Sequence, residues 1–231
     1  MSLFLKQVED TYELTSAGYG LLVVLLILAL IAACFFTGKD HKNHFSVKQL
    51  VFAAMCVTLS TVTSMIKIFE MPMGGSITLF SMFFITFVGY LYGPRAGLTS
   101  ALAYGLLQLI IGPYIISIPQ LVCDYILAFG ALGLSGFFQN KKFGMINGYI
   151  IGILGRLFFS VLSGVIFFGQ YAADYGMKPF TYSLAYNGLY IGTEGILTVA
   201  LISVPAVRHA LKRIRYMANE NDVREKLSSI A

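Results

Sequence analysis

Apolar positions in this chain fall in long uncharged blocks, not in alternating or three-and-four patterns. From Ala17 to Thr37 no charged residue occurs, and the block closes on the polar run GKDHKNHFSVK. Comparable blocks follow at about 48–69, 77–93, 97–112, 117–137, 144–168 and 182–206. A helix needs about 20 mostly apolar residues to cross hydrocarbon, so seven membrane helices are expected. The blocks 77–93 and 97–112 are short and stop at Gly93–Pro94 and Gly112–Pro113. Both are sound helix terminators, which leaves room for a tilted or partly re-entrant piece. The first block starts too late and runs too long for a cleaved signal peptide, and acidic residues precede it (Glu9, Asp10, Glu13) where basic ones are needed. It is read as a retained helix.

Composition agrees. Of 231 residues 57% are hydrophobic and 12% charged, against about 25% charged in soluble domains; the mean hydropathy is +0.77. These values exclude a disordered chain, a disulfide scaffold and a nucleic-acid binder, although the pI is about 9.0. The fold class is all-α, a polytopic membrane helix bundle. Its basic residues set the direction. With the N-terminus outside, the inner flanks hold Lys39, Lys42, Lys48, Arg95, Lys141, Lys142, Arg208, Lys212, Arg213, Arg215, Arg224 and Lys226. Only Lys6 and Lys178 lie in outer loops, with Lys67 at an outer helix end and Arg156 inside a span. The positive-inside rule therefore puts the N-terminus out and the C-terminus in the cytoplasm of a cell-membrane protein. The basic tail is expected to run along the inner surface against anionic lipid.

Cys34, Cys56 and Cys123 sit singly in apolar runs and read as small hydrophobes. His41 and His44 have no further ligand nearby, so no metal site is expected. Gly144, Gly148 and Gly152 make a ridge that lets another helix approach. Ala53, Ala54, Cys56 and Thr58 give the second span a small face, a docking surface for a helix within or outside the chain.

With lipid as solvent, polar residues inside spans are the informative ones. Arg156 and Glu194 each fall about twelve residues into their helices, roughly 18 Å deep by helical rise. They can form a structural ion pair; the alternative pairs Arg156 with Asp124. Asp124 lies roughly 10 Å from the outer end of its span. Ser117, Gln120 and Asp124 share one face with Tyr125 beside it, and a carboxylate without a protein cation suits a cationic ligand. Tyr182, Tyr186 and Tyr190 repeat at four, and Asn187, Tyr190 and Glu194 form an adjoining face. Such rings hold flat or cationic ligands by stacking and cation–π contact. No GxxxxGK[ST], HExxH or GxSxG occurs, so neither ATP hydrolysis nor a familiar hydrolase is expected of this chain, and no cofactor.

The runs MPMGGSITL (71–79), YGLLQLIIGPYIISIPQLVCDYILAF (104–129), LFFSVLSGVIFFGQYA (157–172) and YSLAYNGLY (182–190) resemble the thiamine-specific substrate-binding subunits, or S components, of energy-coupling-factor (ECF) vitamin transporters. The likeness spans residues 48–206 and divides the chain. Residues 1–47 are an extracellular N-terminus, an extra transmembrane helix and a linker; 48–206 a six-helix vitamin-binding domain; 207–231 a basic cytoplasmic tail. It implies a thiamine pocket near the outer surface formed by Tyr114, Asp124, Tyr125, Tyr182 and Asn187, with Tyr104 and Phe168 as further aromatics. Gln120 and Ser160 complete the expected set. Gly74, Gly75 and Ser76 would belong to its lid. Ala53, Ala54 and Thr58 would meet the shared transmembrane coupling subunit, which works with two ATPases. Some members carry a histidine at the place of Ser160 and a tryptophan at that of Phe168.

The expected function is high-affinity thiamine capture outside the cell and delivery inward, powered in trans. Other readings are the same scaffold for another vitamin or a thiamine precursor, a stand-alone proton-coupled carrier, and an intramembrane enzyme using Asp124 and Glu194 as acid and base.

Overall fold

Ser46 opens the bundle with a reciprocal cap: its hydroxyl accepts the Gln49 N–H at 3.2 Å, and the Gln49 side chain accepts the Ser46 N–H at 3.2 Å. In the computed structural model the described residues are 46–111 and 114–219, with residue 17 and the backbone of two short strands, β1 (Leu5–Val8) and β2 (Thr11–Leu14). Those strands pair antiparallel, Leu5 opposite Leu14. The helix expected over 17–37, the linker with His41 and His44, the Gly112–Pro113 stop and the tail beyond Asn219 lie outside the described residues.

Helix α1 (Val47–Met65) ends earlier than the expected span 48–69. Lys67–Glu70 is instead strand β3, paired antiparallel with β4 (Ser76–Thr78) across a tight turn at Pro72–Gly74. Charges at Lys67 and Glu70 oppose continuation into lipid, while Pro72 and the left-handed Gly74 (φ 89°) turn the chain back. Because β4 takes residues 76–78, the next helix, α2 (Ser81–Tyr92), also starts later than expected. Twelve residues rise only about 18 Å, so α2 does not cross the bilayer. It is buried at every position except Phe84 and Tyr92.

Helix α3 (Pro94–Ile111) follows a turn at Gly93, whose φ of 88° favours glycine. Helix α4 (Ile118–Phe138) is irregular, with a π turn at Val122–Leu127 and a 3-10 ending at Ala131–Phe138. Helices α5 (Gly144–Phe167) and α6 (Pro179–Ser203) complete a six-helix bundle, and α7 (Pro205–Ala218) leaves α6 at 83°. The glycine ridge works inside the chain. A Cβ on Gly148 would lie 2.8 Å from the Ser135 carbonyl oxygen, and one on Gly152 3.1 Å from that of Leu132, so α5 packs directly on the backbone of α4.

The deepest layer surrounds α2, with Ile85, Val88, Leu91, Leu132, Ile191 and Ile202 fully buried. Large apolar side chains on the outer faces stay exposed: Val47 at 79%, Phe158 at 63% and Ile196 at 73%. With α1, α4 and α5 each long and apolar enough to cross a membrane, this is a multi-pass membrane protein whose outer surface meets hydrocarbon. Ala54 and Thr58 lie on that exposed face of α1, whereas Ala53 packs against the core.

Candidate functional site

At the end of the bundle bearing the β3–β4 hairpin, the helices leave a cavity of about 220 Å³. All nine pocket residues expected from the sequence line it: Tyr104, Tyr114, Gln120, Asp124, Tyr125, Ser160, Phe168, Tyr182 and Asn187. So do Gly74, Gly75 and Ser76 of the hairpin, which roof it.

Asp124 sits in the π turn of α4, a helical irregularity frequent at functional sites. Its Oδ2 accepts both Gln120 Nε2 at 2.7 Å and Ser163 Oγ at 2.9 Å. Among the described residues Oδ1 has no hydrogen-bond partner, so one oxygen is fixed and the other is available to the cavity. The Gln120 amide is fully engaged: Nε2 also donates to the Tyr114 carbonyl at 3.1 Å, and Oε1 accepts the Ile116 N–H at 3.3 Å.

The Arg156–Glu194 ion pair expected from the sequence does not form, nor does the alternative Asp124–Arg156 pair. Among the described residues the only ion pair is Lys67–Glu70 at 2.6 Å. Glu194 points to the start of α2, where Phe80 offers no side-chain cap. Its Oε2 accepts Thr78 N–H at 3.2 Å and Thr78 Oγ1 at 2.6 Å, and its Oε1 accepts Met82 N–H at 3.1 Å and Ser81 Oγ at 3.3 Å. A carboxylate among orphan N–H groups at the positive end of a helix is favourable, so Glu194 caps α2 from another helix. Arg156 is left on the cavity wall, its guanidinium 4.3 Å from the Phe129 ring centroid.

Asn187 is largely structural. Its Nδ2 donates to Ser160 O at 3.3 Å, Ser183 O at 3.0 Å and Ser183 Oγ at 3.2 Å, tying α6 to α5. Its Oδ1 accepts the Tyr190 hydroxyl at 2.9 Å and keeps a second lone pair.

Aromatic rings form the walls. Tyr182 and Tyr186 stack at 6.1 Å, Tyr190 meets Tyr186 edge-on at 5.8 Å, and the exposed Tyr175 continues the stack outside the cavity at 5.3 Å from Tyr182. Tyr114 leans on Phe168 at 6.0 Å, and its N–H is held by the Tyr125 hydroxyl at 2.8 Å. Burial first, then the neighbouring Tyr171 phenol, raises the pKa of the Tyr114 hydroxyl. Tyr104, buried, packs edge-on against Phe129 at 5.1 Å.

Two roof segments meet over the cavity. Tyr186 accepts the Gly75 N–H at 3.0 Å and donates to the Pro72 carbonyl. A Cβ on Gly75 would lie 2.6 Å from the Tyr186 oxygen, and one on Gly74 3.1 Å from Tyr114 Cβ. The fourfold tyrosine spacing was visible in the sequence, but the contact of Tyr186 with the hairpin was not. Nor were the places of Ser163, Lys67 or Gln108, whose Nε2 donates to Ser64 Oγ at 2.8 Å on the same wall.

A profile of the family described as "Thiamine transporter protein" matches residues 50–213. The chain is similar to the thiamine transporter ThiT of Bacillus subtilis, with 35% identity over 166 residues, 66% of this chain and 84% of that protein. A solved structure of ThiT from Listeria monocytogenes is 26% identical and superposes with a TM-score of 0.57, covering 68% of this chain and 94% of that one. A solved S component of a bacterial ECF transporter is 21% identical, with a TM-score of 0.46 over 69% of this chain and 95% of that chain.

Proposed function

The chain belongs to the thiamine transporter protein family, and from that premise we propose that it is the membrane-embedded capture subunit for thiamine in an ECF-type importer. The observation that carries this reading is the cavity itself. One carboxylate oxygen of Asp124 is held by Gln120 and Ser163 and the other is open to a cation, inside a wall of tyrosine and phenylalanine rings. The thiazolium of thiamine supplies the positive charge, and its pyrimidine is a flat ring for stacking. The second lone pair of Asn187 Oδ1 is an acceptor for the aminopyrimidine amine.

The cavity end faces outside in this reading and the α7 end faces the cytoplasm, following the placement of basic residues. Capture places the cation against Asp124, and the β3–β4 roof closes above it. Energy comes in trans, since the chain has no phosphate-binding loop. Ala54 and Thr58, small and exposed on α1, fit a coupling subunit that carries two ATPases. The subunit itself binds and delivers without chemistry on the ligand.

Calorimetric titration of the detergent-purified chain with thiamine, beside separate pyrimidine and thiazole fragments, tests the reading. One-to-one thiamine binding that weakens at least tenfold in Asp124→Asn is expected. Folded protein that binds no thiamine, or an Asp124→Asn variant of unchanged affinity, would overturn it.

A further inference from the structure

Among the described residues, the end of the bundle opposite the cavity carries positive charge alone. Between residues 46 and 219 the acidic residues are Glu70, Asp124, Asp174 and Glu194. Two belong to the cavity-side loops and two lie within helices. At the other end stand Lys48 at the start of α1, Arg95 at the start of α3, Lys141 and Lys142 in the α4–α5 turn, and the basic residues of α7.

Val204 leaves α6 extended (ψ 126°) and Pro205 starts α7, which turns the chain through 83°. A helix crossing the bundle end at that angle lies along the membrane plane when α6 spans it. It is fixed there. Leu211 and Ile214 pack on the core, and Ala218 is buried. Arg215 stacks 4.5 Å over the Tyr90 ring and donates to Asn140 Oδ1 at 3.2 Å; the Asn219 amide donates to the Leu91 carbonyl at 3.3 Å.

At 100° per residue the remaining positions separate into two surfaces. Ala206, Ala210 and Met217 form an exposed apolar flank, while His209, Lys212 and Arg213 stand exposed on the polar side with Arg208 half-buried beside them. Val47, Leu50 and Val51 of α1 and the rings of Phe137 and Phe143 are exposed at this same end. The basic surface is thus continuous with the lipid-facing one. An amphipathic helix of this kind belongs at the headgroup–acyl boundary.

We propose that α7, with the Lys141–Lys142 turn, is a binding surface for the headgroups of anionic phospholipids. The apolar flank takes the upper acyl chain and Arg208, Lys212 and Arg213 take the phosphate. A soluble acidic partner would leave that apolar flank uncovered, which is why the occupant is a lipid. This surface is remote from the cavity and independent of what the cavity binds.

The test uses the full chain, stripped of lipid in detergent and titrated with phosphatidylglycerol or phosphatidylcholine, bound lipid being counted by native mass spectrometry. The wild type is expected to retain phosphatidylglycerol about a hundred-fold better, and that preference should collapse between 0.15 and 1 M salt, where the Debye length falls from about 8 to about 3 Å. Each basic residue near an anionic surface is worth about a five-fold change, so the triple variant Arg208→Gln/Lys212→Gln/Arg213→Gln should lose about a hundred-fold, and Lys178→Gln at the cavity end nothing. Equal retention of both lipids, a salt-independent preference, or an undiminished preference in the triple variant would overturn the proposal. So would equal binding of a soluble polyglutamate in competition with the lipid. The salt arm needs no variant, so a triple variant that fails to fold leaves the test intact.

Discussion

Gln120 joins Asp124 to the roof of the cavity: one amide nitrogen donates to Asp124 Oδ2 at 2.7 Å and to the Tyr114 carbonyl at 3.1 Å. A ligand cation drawn to Asp124 therefore meets a carboxylate whose position is tied to the segment above it. Gln120 is 2% exposed and has no free donor, so it acts on the ligand through these two neighbours. Gln120→Leu should weaken thiamine about ten- to a hundred-fold, since a hydrogen bond to a charged group is worth about 1.5–3 kcal/mol, and most of the loss should appear in the dissociation rate. Ser163→Ala also removes a donor to Asp124 but leaves the roof untouched. Its loss should fall on affinity without the matching rise in escape. Chase of bound radiolabelled thiamine from both variants separates the two; identical dissociation rates would remove the roof link.

The hairpin roof has its own latch. Tyr186 holds Gly75 and Pro72 through one hydroxyl, while its ring belongs to the stacked wall. Tyr186→Phe keeps the ring and deletes the latch. Net hydrogen-bond values near 1 kcal/mol predict a dissociation rate about five-fold faster, with association little changed. Hydrogen exchange at residues 72–76 should rise in the same variant; unchanged exchange would mean the latch does not hold the roof. Gly75→Ala should disturb the same contact from the other side, because its Cβ would meet the Tyr186 oxygen at 2.6 Å.

Helix existence was legible in the sequence because uncharged blocks leave few alternatives in lipid: all six bundle helices begin within about four residues of the expected places. What blurred was the β3–β4 hairpin. Ile66 to Phe69 is apolar apart from Lys67, and hydropathy alone cannot tell a strand from the end of a helix. The pocket residues were readable as polar exceptions and ring repeats. The partnership of Arg156 and Glu194 was not, because equal depth in two helices does not specify direction around the helix axis. Glu194 lies on the face toward α2, where it accepts from Thr78, Ser81 and Met82. Gln120 was placed correctly on the Asp124 face, but its engagement with Tyr114 depends on a loop that periodicity cannot locate.

The cap on α2 gives a stability prediction. Glu194→Gln removes the charge and turns one acceptor oxygen into a donor facing donors, Thr78 and Met82 among them. A cost of about 2–4 kcal/mol follows from an unsatisfied buried site, visible as a lower unfolding midpoint in detergent. Arg156→Gln should cost little stability but alter ligand affinity, since the guanidinium rests on Phe129 at the cavity wall. In a double-mutant cycle the two should add within about 0.5 kcal/mol. A coupling above about 1 kcal/mol would restore the ion pair.

A substitution at Ala54 tests whether capture and delivery use different surfaces. It is exposed on α1, on the face that also carries Val51, Met55 and Thr58, and it lies on a different helix from every ring and carboxylate of the cavity. Replacing it with phenylalanine adds apolar bulk to a surface already bathed in hydrocarbon, so folding and thiamine binding should be retained. A helix of the coupling subunit packed closely against a small residue has no such tolerance, because interfaces in lipid rest on close backbone approach and not on hydrophobic exclusion. Ala54→Phe should therefore bind thiamine normally by calorimetry yet fail in ATP-driven uptake when reconstituted with the coupling subunit and two ATPases. Uptake at the wild-type rate would move the docking surface off this face of α1; loss of binding as well as uptake would show that Ala54 supports the fold of the bundle.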